Sequence, residues 1–161
     1  MKNTTYQEIR MKYKPTKIKN FLISLIFGLF SLNIFAYDLS IESPHFKKPR
    51  PGQDISAGFL KLISTKNIQI KSIESDFIDK IEVHTMKMES DGNGGKVMKM
   101  RKIENPQLIA NEEFILRPGA DHLMFFGIRK ALKKGEIVPL VFNLLDQDEL
   151  TPISIDFYVI D

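Results

Sequence analysis

From Leu39 to Ile160 the apolar residues recur mostly at every second position, in short runs cut by turn-forming residues. Positions i and i+2 of a strand share one face, so this pattern builds half-buried strands rather than helices. Leu39 and Ile41 alternate ahead of Ser43-Pro44, and Phe59 to Ile63 follows the loop Lys47-Lys-Pro-Arg-Pro-Gly-Gln53. Ile137 to Leu145 and Ile153 to Ile160 read as a hairpin across Asp146-Gln-Asp-Glu149, with Ile153, Ile155, Phe157 and Val159 turned inward. One stretch departs from the pattern. Ile70, Ile73, Phe77, Ile78 and Ile81 stand three and four apart, as on a helix face, and leave a helical connection open there. Seven or eight closely spaced strands in a segment of this size predict an antiparallel sandwich or barrel.

Ahead of that segment, a Lys-rich stretch runs into Phe21 to Phe35, fifteen mostly apolar residues without a charge, followed by Ala36-Tyr37-Asp38. The order is that of a secretory signal. The apolar run is shorter than the roughly 20 residues a helix needs to span a bilayer. The expectation is therefore a signal peptide over residues 1–36, with Met11 as an alternative start. Residues 37–161 then form one exported domain, with no membrane insertion of its own.

The leader also explains the basic character of the chain, whose 23 Lys and Arg outnumber 20 Asp and Glu. Removing its six bases and one acid leaves 17 bases against 19 acids, a net charge of −2. Nucleic-acid binding by the domain loses its main electrostatic support. The absence of cysteine excludes disulfides, thiolate zinc sites, iron–sulfur clusters, Cys nucleophiles, lipid-modified cysteine and blue copper. No Ser/His/Asp arrangement, phosphate loop or pair of catalytic carboxylates stands out, so nothing points to an enzyme.

The chemistry concentrates between His84 and Met124. All five methionines beyond the leader lie there, in His84-Thr-Met86-Lys-Met88, Val97-Met98-Lys-Met100 and His122-Leu-Met124. At period two, His84, Met86 and Met88 share a face, Met98 and Met100 share one, and so do His122 and Met124. The turn Asp91-Gly-Asn-Gly-Gly95 folds the first two runs into a hairpin. A third strand carrying His122 and Met124 can complete a site. Thioether sulfur is a soft, neutral donor suited to Cu(I), and imidazole also serves copper. Such a site needs no thiol, so it suits an oxidising compartment. Methionines also fill gaps in cores. The wet neighbours Lys87, Glu89 and Lys99, and two histidines in phase with the methionines, favour ligands over filler.

Met100, twenty-one intervening residues, His122, one residue and Met124 reproduce the second half of the motif of PCu(A)C-type periplasmic copper chaperones. The resemblance extends through Arg50-Pro-Gly52, Ser56-Ala-Gly-Phe-Leu60, Leu116-Arg-Pro-Gly119 and Val138-Pro-Leu140, from about Leu39 to Ile160. It implies a cupredoxin-like Greek-key antiparallel sandwich. It further implies Cu(I) ligation by His84, Met100, His122 and Met124, with Met86, Met88 and Met98 as auxiliary thioethers; Cu(II) at an accessory site is left open. The implied role is a monomeric periplasmic carrier. Its implied recipient is the copper-site subunit of cytochrome c oxidase, or a thiol-containing assembly factor. Between His84 and Met100 fifteen residues intervene where the family usually has ten, and the extra five fit inside the Gly-rich turn.

Copper sequestration for tolerance and a metal-free adhesion or scaffold sandwich are the alternative functions. His45, outside the motif, reads as a surface histidine. Asp146, Asp148 and Glu149 read as a solvated hairpin tip rather than a hard-cation site. The segment Arg129 to Lys134 reads as an exposed turn.

Overall fold

The computed structural model describes residues 39–161. The leader, its cleavage after Ala36 and the Met11 start lie outside these residues. Ten strands follow one another: β1 (Leu39–Lys47), β2 (Ser56–Ser64), β3 (Ile68–Glu74), β4 (Ile78–Ser90), β5 (Lys96–Lys102), β6 (Gln107–Leu108), β7 (Glu113–Leu116), β8 (His122–Ile128), β9 (Ile137–Asp146) and β10 (Glu149–Ile160). The described residues contain no α-helix. Their hydrogen-bonded order is β5-β4-β8-β2-β1-β10-β9-β3-β6, with β7 added to β2.

The fold is all-β, as the alternation predicts, with two corrections. The Ile70 to Ile81 stretch is two strands and a turn. The register of β3 against β9 slips between Ile70 and Ser72. A bulge adds one residue to one strand and reverses the phase beyond it, so Ile70 and Ile73 are both buried three positions apart. Ser75 to Phe77 then turn the chain into β4, which produces the spacing of four without a helix. Secondly, the sheet is not wholly antiparallel. β1 pairs with β10 in parallel, with Phe46 beside Val159.

The hairpin of β9 and β10 forms around Gln147-Asp148, with Gln147 at φ 55°. Ile155, Phe157 and Val159 are buried, and Ile153 packs partly against the same core. Phe46, Leu62, Leu123, Phe125, Val138, Leu140, Phe142 and Leu144 are fully enclosed there. Burying one such aliphatic or aromatic side chain contributes about 1.5–3 kcal/mol.

Two features of the core position β8. The Phe125 ring stacks on Phe46 at 4.2 Å between centroids. Its edge lies so close to the backbone of Gly58 on β2 that a Cβ there would meet Phe125 Cζ at 2.6 Å. Glycine at 58 is thus what lets the ring seat and fixes β8 against β2.

Candidate metal centre

Val83 on β4 and Leu123 and Phe125 on β8 point into the core. Their strand neighbours must take the opposite face. The antiparallel register of these strands places His84 directly opposite His122 and Glu82 opposite Met124. On the other side of β4, Met86 stands opposite Met100 and Met88 opposite Met98, and the pairing runs unbroken from His84–Lys102 to Ser90–Lys96. The extra residues therefore lengthen the hairpin without a bulge. At its tip, the amides of Asn93 and Gly95 donate to Asp91 Oδ1 at 2.9 and 2.8 Å. Gly92 and Gly94 take the positive φ that this tight turn requires.

The structure thus brings His84, Met100, His122 and Met124 onto one face of three adjacent strands. His84 and His122 form the centre, their rings 6.3 Å apart. Met124 lies one same-face step from His122, and Met100 sits diagonally across from His84. Met86 lies on the same face, one same-face step beyond His84. Met88 and Met98 are one pair further out, where β4 has passed the start of β8.

Each histidine is oriented by a hydrogen bond on one nitrogen. His122 Nδ1 lies 2.8 Å from the carbonyl oxygen of Ala120. A carbonyl only accepts, so this nitrogen carries the proton and Nε2 keeps its lone pair. His84 Nε2 lies 2.9 Å from Glu82 Oε2. The Glu82 carboxyl is held below its ordinary range, chiefly by the His84 hydrogen bond and also by Lys80, against the opposing cost of burial. An ionised carboxylate only accepts, so His84 donates from Nε2. In the neutral ring His84 Nδ1 is then a lone-pair nitrogen, and it is buried without a hydrogen-bond partner.

Unpaired buried polar atoms are costly and rare. Ligating histidines characteristically give their second N–H to a carboxylate or a backbone carbonyl, which fixes the tautomer and orients the ring. Both arrangements occur here, side by side. With two thioethers on the same face, the donor set fits a soft monovalent ion. Among the described residues, no three of His, Cys, Asp and Glu come together as hard-cation sites require.

Sequence reasoning confined to soft donors passed over Glu82, Lys80 and Phe126. Lys80 Nζ lies 3.4 Å from Glu82 Oε1 and 4.7 Å from the centre of the Phe126 ring. That ring is also 6.0 Å from His84. Counting back by two from His84 finds Glu82 and then Lys80 on the same face, so the signal was present. His45 lies elsewhere, bonded through Nδ1 to Ser43 O and tilted against Phe59.

The same fold occurs in solved PCuAC domains. The copper-bound PCuAC domain from PmoF2 superposes with a TM-score of 0.60 at 14% identity, covering 78% of this chain and 95% of that one. The apo PCuAC domain from PmoF1 gives 0.56 at 13% identity, covering 75% and 92%. The fold is therefore that of a cupredoxin-like PCuAC domain. Residues 39–154 match the profile of the LpqE-like lipoproteins, and the chain belongs to that LpqE-like family. None of its 161 residues is a cysteine that could carry a lipid. No curated protein matches the chain at a significant level.

Proposed function

We propose that this protein is an exported Cu(I) carrier that holds one ion between His84, Met100, His122 and Met124 and delivers it to another protein. The observation that carries the reading is the pair of oriented imidazoles. Each has one nitrogen committed to a hydrogen bond and the other free, and the free Nδ1 of His84 is buried without a partner. Copper is the cargo in this reading, not a resident cofactor. The similarity to solved PCuAC domains, one of them copper-bound, supports the same reading.

The donor set suits delivery. Four neutral ligands leave the ion its single positive charge, with the Glu82 carboxylate one hydrogen bond behind His84. Met100 is 51% exposed whereas His122 is 7% exposed. The exposed thioether is the ligand an incoming donor displaces first, while the histidines keep hold from below. Transfer is an exchange of ligands at Cu(I), and no electron changes hands. The recipient we propose is the copper-site subunit of a haem–copper respiratory oxidase, reached directly or through a thiol-bearing assembly factor. The test is competition for Cu(I) against a chromogenic chelator, run beside a Zn(II) titration, followed by mixing with the recipient's copper-site domain. Strong Cu(I) capture and its loss to that domain are expected. Preference for Zn(II), or indifference to removal of the Met sulfurs, would reduce the cluster to surface packing.

A further inference from the structure

Three methionines lie outside the four-residue set, the half-buried Met86 and two outer ones that packing does not explain. Met88 and Met98 are 61% and 51% exposed, so they fill no cavity, and large apolar side chains gain nothing from exposure on a strand. They stand directly opposite one another across β4 and β5. Met86 is two residues before Met88 and therefore shares its face. Directly opposed Cβ atoms in such a ladder are about 4.5–5.5 Å apart and diagonal ones about 7–8 Å, distances that flexible thioether side chains can close. The strand partner of β4 beyond His84 is β5 alone. This part of the hairpin therefore stands clear of the body of the sheet.

The charges that pair with one another here are sorted to the other face, whereas Lys96 and Lys102 are in phase with Met98 and Met100 on β5. Glu89 accepts both Arg101 Nε and Nη2 at 2.9 Å and lies 3.4 Å from Lys99 Nζ. Glu89, Lys99 and Arg101 are out of phase with the methionines, so the face of Met86, Met88 and Met98 offers sulfur without a competing carboxylate.

We propose that Met86, Met88 and Met98 form a second Cu(I) site, coordinated by sulfur alone, on the outer half of the β4–β5 hairpin. It rests on the copper reading above and deepens it. Three soft neutral donors and no nitrogen make this site weaker than the His-containing one. Its position one residue pair outside Met100 makes it a staging point through which the ion reaches or leaves the inner site.

The test is anaerobic Cu(I) titration of the protein in competition with chromogenic chelators of two strengths, paired with X-ray absorption at the copper edge. The wild type is expected to take two equivalents, the second adding sulfur neighbours and no nitrogen. A Met88→Leu/Met98→Leu variant, whose changes are exposed and nearly conserve volume, should take one equivalent with the affinity of the first unchanged within about twofold. Two equivalents in that variant, or a single one in the wild type, would overturn the second site and leave the carrier reading standing. No capture by the wild type would overturn both.

Discussion

At the residue scale, the decisive group is Glu82. It is not a proposed ligand, yet it fixes which nitrogen of His84 is free. Removing an outer-shell partner of a ligating histidine characteristically costs about 10–100-fold in metal affinity. Glu82→Ala should therefore weaken Cu(I) capture by about that factor while the far-ultraviolet spectrum stays that of the wild type. An affinity unchanged by this substitution would show that His84 is not oriented through its hydrogen bond. Met124→Leu should keep the fold at a cost under about 1.5 kcal/mol and weaken capture strongly, whereas Met86→Leu should leave the first equivalent in place. A period of two settles which of the His and Met side chains share a face, while the choice of His84, Met100, His122 and Met124 among them came from the resemblance to the copper-chaperone motif. What it could not reveal is which nitrogen of an imidazole is committed, since Ala120 O acts through its backbone and leaves no mark in the identity of a side chain.

At the scale of elements, legibility followed the regularity of the ladder. The β9–β10 and β4–β5 hairpins keep an unbroken register, so their patterns survive in sequence. β3 was obscured because its bulge after Ile70 reverses the phase. β6 and β7, at two and four residues, are too short to carry a period. Two expectations belong here. Gly58→Ala forces a methyl against the Phe125 ring and should destabilise the fold by about 1–3 kcal/mol, as overpacking does. The check is a lower urea midpoint with an unchanged slope. In the β4–β5 hairpin, the Arg101 guanidinium beside Glu89, helped by Lys99, holds the Glu89 carboxyl down to about 2 from its ordinary 4.5. A depressed folded-state value means the contribution to stability is complete above pH 4.5 and is lost as pH falls toward 2. An NMR titration of Glu89 should show that low midpoint, and Arg101→Leu should return it toward the ordinary range.

At the scale of the molecule, the expectations concern export and selectivity. N-terminal sequencing of fractionated cells should find a soluble product that begins near Tyr37. The same product should bind Cu(I) far more tightly than Zn(II), because a divalent ion gains little from neutral sulfur. Peroxide should weaken that binding, since oxidation of the thioethers to sulfoxide makes them harder donors. The parallel seam between β1 and β10 has a consequence of another kind, in time rather than in space. β10 sits between β1 and β9 in the sheet, although more than a hundred residues separate its partner strands' contacts along the chain, as with Phe46 and Val159. Pairings of such long reach make folding slow, because their loop-closure entropy is lost before any contact rewards it. A chain that emerges amino end first holds β1 with β2 alone until its last strand arrives. Until β10 is made, β1 ends one ladder and β9 ends the other, and the last strand of the chain is the one that joins them into a single sheet.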